Sequence, residues 1–271
     1  PLESAIADHI VFPMLQLLYD VNIRQAIGCD LAIRGDLAGQ VALRDVWETD
    51  VARHGFDIWL TIVSLVEGRR IGQVNLGTKL EGIREFVVPL DPRFQHTVGT
   101  LFRMANIYRQ AWLEGVVPAQ LTCFGRPGRG LLAGPRTPVP LESIWEAALK
   151  GRNKYRGIWR TVMTSDHLER IREALKSGPA PDALPADLWA RVVIDFAVVY
   201  NKGEGDPDKV VYGLLPIYYA RVVSYMLETQ ALNPSQFEAG IQKQALIFQQ
   251  QRPYLNTRWE TYVPWLDDEA R

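Results

Sequence analysis

Five consecutive segments, 141–163, 165–176, 184–200, 208–229 and 234–251, each carry apolar residues three and four positions apart. That period belongs to helices that bury one face against neighbours, so the second half of the chain is committed to a helical array. Local punctuation agrees. Ser165-Asp166-His167 and Asn233-Pro234 read as helix starts, and Gly178 as a stop. Asp206-Pro207-Asp208 is the literal Asp-x-Asp of the sequence. It is explained better by Asp206 as an N-cap with Pro207 in the first turn than by metal binding. Tyr212, Tyr218, Tyr219 and Tyr225 share helical spacing, and packing is the expectation for them rather than a pocket wall.

The first third reads differently. Residues 5–19 are largely apolar and helical, with Pro13 as an interruption or cap and His9 as a core or surface histidine. Residues 29–33 predict a strand, followed by a turn and a helix over 37–46 with Asp36 at its N-cap. Ile58, Ile62, Leu65 and Val66 keep helical spacing and Gly68 sits where a helix ends, so Asp57 falls at the start of that helix. A carboxylate there is favoured by free N–H groups and the helix dipole, and the same position exposes it to a crevice. Residues 74–76 predict another strand. Residues 96–114 predict a helix, and 115–140 a loop rich in Gly and Pro. The Gly125 to Gly130 stretch lacks the Lys-Ser or Lys-Thr of a phosphate cradle and reads as a solvated loop.

Three blocks in this region carry a family likeness. They are Arg24-Gln25-x-Ile27-Gly28-x-Asp30, then Trp47-Glu48-Thr49-Asp50, then Gly55-Phe56-Asp57-Ile58-Trp59 followed by Glu67-Gly68. Together they resemble the mannosylglycerate synthase and glucosylglycerate synthase group of GT-A glycosyltransferases, well over residues 5–85 and more loosely beyond. The resemblance implies transfer of a hexose from a nucleotide sugar to glycerate or a similar small acceptor, with a divalent metal (Mg or Mn) and retention at the anomeric carbon. Asp57 matches the family acid that orients or deprotonates the acceptor hydroxyl; read on its own it is equally a helix cap. Arg24 suits a bidentate clamp on a carboxylate, with a surface ion pair as the other reading. Gly28, Asp30 and Asp50 join it as substrate-binding candidates, although each acid taken alone reads as structural. The sequence departs from the family at Cys29, where a second glycine is the pattern. It departs again after Gly77-Thr78-Lys79-Leu80, where Glu81 stands in place of a metal-binding histidine and becomes the candidate metal ligand.

The resulting expectation is an α/β portion followed by an all-α one. In detail, residues 1–92 form the acceptor-side half of a GT-A (Rossmann-like) domain and 93–271 a helical C-terminal domain, with the donor half outside this sequence. Lys and Arg number 30 against 31 acids, so no global field draws the chain to nucleic acid. No stretch reaches the roughly eighteen uninterrupted apolar residues of a membrane span. Two distant cysteines and the lack of a signal peptide predict a cytoplasmic protein. An exposed apolar face on the α/β portion predicts a homo-oligomer. The rival reading is a non-catalytic helical interaction module carrying a decayed transferase remnant.

Overall fold

The computed structural model describes residues 5–28, 30–76, 91–115, 121–125 and 140–264. The chain enters through a buried helical segment in which Ala7–Val11 forms a π turn that runs directly into α1 (Phe12–Tyr19). Pro13 does not interrupt this helix. Its missing N–H leaves upstream carbonyls without an in-helix donor, and side chains from distant helices replace it. Trp189 Nε1 donates to the His9 carbonyl (2.7 Å) and Gln244 Nε2 to the Asp8 carbonyl (2.9 Å). The N-terminal helix is thereby pinned to the far end of the sequence.

The expected strand at 29–33 is absent over 30–33. Those residues have no regular structure, and Leu31 and Ile33 are exposed with no sheet to cover them. Helix α2 spans Gly35–Ala42, starting before Asp36 and stopping short of 46; Asp36 lies in its first turn, paired with Arg34. Helix α3 is Phe56–Val66, closed by Gly68 at φ +68°, a conformation that suits glycine. The second expected strand lies slightly earlier, as β1 (Gly72–Val74). Its partner is β2 (Thr122–Phe124), inside the segment read as loop, in a parallel pair with Gln73 opposite Cys123.

The helical half is close to its expected outline, with extra breaks. The 96–114 segment is two helices, α4 (Asp91–Ile107) and α5 (Arg109–Glu114), parted at Tyr108. The 141–163 segment is likewise α6 (Leu141–Lys154) and α7 (Arg156–Val162), parted at Tyr155. Then come α8 (Ser165–Ser177) capped by Thr164, α9 (Ala186–Lys202), and α10 (Pro207–Thr229) capped by Asp206. Helix α11 (Pro234–Gln250) opens on a reciprocal Asn233–Gln236 capping box, and α12 (Arg252–Thr261) is the last described helix.

Helix α10 is the axis of the bundle. It is the helix, among the described residues, long and apolar enough to cross a bilayer, yet 83% of its apolar window is buried in the protein. It is apolar on nearly every face because α4, α6 and α9 surround it. Pro216 in its interior is accommodated by α6: a Cβ on Gly151 would fall closer than 3.0 Å to the Pro216 ring. Tyr218, Tyr219 and Tyr225 are buried in packing, as expected, whereas Tyr212 is only half-buried. A charged knot braces the far side. Asp195, fully buried on α9, accepts from Tyr254 (2.6 Å) and Arg258 (2.9 Å) and bonds His167 Nδ1 (2.7 Å). Residues on both sides of position 92 share one hydrophobic cluster, from Ile6 and Ile58 through Phe102 to Tyr218 and Trp259.

Candidate functional site

The Trp47–Asp50 block forms a tight turn held by its own side chains. Thr49 Oγ1 donates to the Val46 carbonyl (2.6 Å) and accepts from Val51 N (3.3 Å), starting a short 3-10 turn, Asp50–Ala52. Gly55 N then donates back to the Asp50 carbonyl (3.0 Å). Glycine is required at position 55 by space. A Cβ would lie 2.8 Å from the Asp50 carbonyl oxygen and against Thr100 Oγ1 of α4. This close approach seats the turn on α4, with Asp57 following in the first turn of α3, half-buried.

Between the turn, α4 and the first two turns of α10 lies a polar cleft of about 480 Å³. The turn supplies Glu48, Thr49, Asp50 and Arg53; α4 supplies Gln95, His96 and Arg103; α10 supplies Asp208 and Tyr212. Gln95 Nε2 donates to Asp208 Oδ1 (2.9 Å), and Arg103 Nη2 to the Tyr200 hydroxyl (3.3 Å). Arg53 Nη1 lies 3.4 Å from His96 Nε2, and His96 Nδ1 lies 3.0 Å from His54 Nδ1. A guanidinium only donates, so His96 Nε2 is the acceptor and Nδ1 carries the proton, which it gives to His54. Burial, opposed by Asp50 and assisted by Arg53, holds the His96 imidazole below its ordinary value. It is therefore neutral at neutral pH.

Of the sequence candidates, Asp50 lines this cleft, and Asp57 begins the helix that leaves the same turn. Arg24 lies elsewhere. Its guanidinium pairs with Asp8 (2.7 Å) and Glu238 (3.0 Å) and stacks over Phe12, so an acceptor carboxylate has two protein carboxylates to displace. Gly28 has room for a side chain, the nearest atom to a Cβ being the Gln25 carbonyl oxygen at 3.9 Å. Asp30 is exposed in the irregular 30–34 segment. Cys29, Glu81 and the Gly77-Thr78-Lys79 motif lie outside the described residues, as does most of the Gly125–Gly130 stretch. Among the described residues no three His, Cys, Asp or Glu side chains converge where a metal ion would sit. The second Asp-x-Asp acid, Asp208, is a cleft residue, and Asp206 caps α10 by accepting from Asp208 N (3.0 Å).

His96, Arg103 and Gln95 were not singled out from the sequence, and Tyr212, expected in packing rather than in a pocket wall, lines the cleft. Gln95, Gly99 and Arg103 recur four apart, but a polar stripe on a helix ordinarily faces solvent. Only the packing of the 48–53 turn onto α4 makes it a cleft wall. Comparison with protein-family models, with curated proteins and with solved structures finds no match for this chain.

Proposed function

We propose that this chain is the acceptor-side and C-terminal portion of a hexosyltransferase that uses a nucleotide sugar and a small acceptor such as glycerate. Support comes from the three motif blocks described above, two of which form one continuous turn-and-helix unit, Trp47 to Val66. The observation that carries the reading is Asp57 in the first turn of α3, half-buried, where backbone N–H groups and the helix dipole favour an anion. A carboxylate held there accepts a hydrogen bond from the acceptor hydroxyl and draws off its proton as the oxygen bonds the anomeric carbon and the nucleotide leaves. No described side chain is assigned as a metal ligand. One observation favours the rival, non-catalytic module: the Arg24 guanidinium is already engaged by Asp8 and Glu238.

The test uses the protein with its nucleotide-sugar half present. Transfer from GDP-mannose or from UDP-, GDP- or ADP-glucose to glycerate is measured for the wild type and for Asp57→Asn. The expected result is a fall of about a hundred- to ten-thousandfold in turnover with a nearly unchanged melting temperature. Gly55, not Asp57, is the N-cap of α3, so full turnover in the variant reduces Asp57 to a first-turn charge favoured by the helix dipole, and no transfer from any donor leaves the interaction module standing.

A further inference from the structure

The cleft between the 48–53 turn, α4 and α10 has an unusual charge arrangement. Three carboxylates, Glu48, Asp50 and Asp208, face it together with two guanidiniums, Arg53 and Arg103. With His96 neutral, the lining carries one net negative charge. A cleft built for phosphate or carboxylate has the opposite excess, because an anion is held by cations and N–H donors. The scarcity of apolar side chains in the wall likewise disfavours a hydrophobic ligand.

These opposite charges do not neutralise each other. Among the described residues no guanidinium–carboxylate pair forms within the cleft, although ion pairs elsewhere close to about 3 Å. Neutral groups hold the charged ones apart. Gln95 holds Asp208 (2.9 Å), Tyr200 holds Arg103 (3.3 Å), and His96 stands between Arg53 (3.4 Å) and Asp50 (3.9 Å). Asp208, Arg103 and Arg53 each use one position of a group that has several, a guanidinium having five N–H donors and a carboxylate about four lone-pair sites, and the Asp50 approach to unprotonated His96 Nε2 is not a hydrogen bond. The wall is thus a set of planar donors and acceptors of both signs with hydrogen-bonding capacity left over. Adjacent hydroxyl groups match such a set, since each donates to a carboxylate while accepting from a guanidinium or amide. Tyr212 adds a half-buried aromatic side chain to the wall. The volume of about 480 Å³ is within the usual range of small-molecule sites, about 300–1,000 Å³.

We infer that this cleft binds a neutral, polyhydroxylated ligand, a hexose or short glycoside, through Asp50, Asp208, Arg53 and Arg103. The assignment rests on the cleft alone and holds whether or not the chain takes part in glycosyl transfer.

The test is saturation-transfer NMR and calorimetric titration of the protein with glucose, mannose and maltose, and separately with inorganic phosphate and glycerate. No donor nucleotide is present, so the result is independent of the transferase reading. Saturable binding of at least one sugar, tighter than either anion, is expected. Asp208→Asn and Arg103→Gln should each weaken it about tenfold or more, the usual effect of losing a hydrogen bond to a charged group. Arg103→Lys keeps the charge and loses the planar fork; it should also weaken binding while leaving the melting temperature near wild type. Lys176→Gln, on the exposed face of α8, should change nothing. Tighter binding of phosphate or glycerate than of any sugar overturns the proposal, as does sugar binding indifferent to both Asp208 and Arg103. Failure of all three sugars to saturate overturns it too.

Discussion

Acid should unfold this protein through His9. The imidazole is buried beneath Tyr225, whose ring meets it edge-on at 4.7 Å. Gln244 lies beside its Nδ1, and the Gln244 Oε1 is already taken by the Arg221 guanidinium (2.9 Å). Gln244 therefore presents its N–H to His9, which must accept and so be neutral. Burial first, and the Arg221 charge second, push the imidazole down to about 3. The unfolded chain returns it to about 6.5. Between those values the unfolded state binds the extra proton, so stability is complete above 6.5 and falls as pH drops. Applying about 1.4 kcal/mol per pH unit over that window gives a loss of about 2 kcal/mol from pH 7 to pH 5. Asp8 works the other way, its carboxyl raised by burial against the pull of Arg24, and His96 works in the same direction as His9. A variant is therefore needed to isolate the His9 part. His9→Asn keeps an acceptor near Nδ1 and cannot titrate. Urea unfolding at pH 7 and pH 5 should show the wild type losing about 2 kcal/mol more than the variant. Equal losses in the two proteins would refute the reasoning, because His9 would then titrate alike in the folded and unfolded chain.

Arg24→Met should cost about 3 kcal/mol by stranding the largely buried Asp8 without its cation. Adding Asp8→Asn should recover much of that loss in denaturant unfolding; the same loss in both backgrounds would mean Arg24 acts through Glu238 or Phe12 instead. Gly151→Ala should lower stability by about 1–3 kcal/mol or more, because the new methyl meets the rigid Pro216 ring. A rise in melting temperature, the usual result of Gly→Ala in an open helix, would show that α6 and α10 pack less closely.

Helices and their ends were legible in the sequence because their causes are local. Period places α8 to α11, and single side chains start them: Asp206 for α10 and the Asn233–Gln236 pair for α11. Gly68 likewise closes α3 at positive φ. Where the reading failed, the deciding partner was distant. Residues 29–33 have strand-like composition, but a strand exists only with a neighbour, and β1 pairs instead with residues fifty positions later. Pro13 reads as a helix interruption until Trp189 and Gln244 supply donors to the carbonyls it leaves open. Arg24 reads as a ligand clamp until Asp8 and Glu238 close on it. The cleft was least legible of all. Asp50, His96 and Asp208 come from three separate parts of the chain, and of the three only Asp50 was a site candidate in its own segment. Helical period and caps act over a few residues and are written where they act. A binding cleft is a meeting of surfaces, and which surfaces meet is decided by how the apolar faces of α3, α4 and α10 pack.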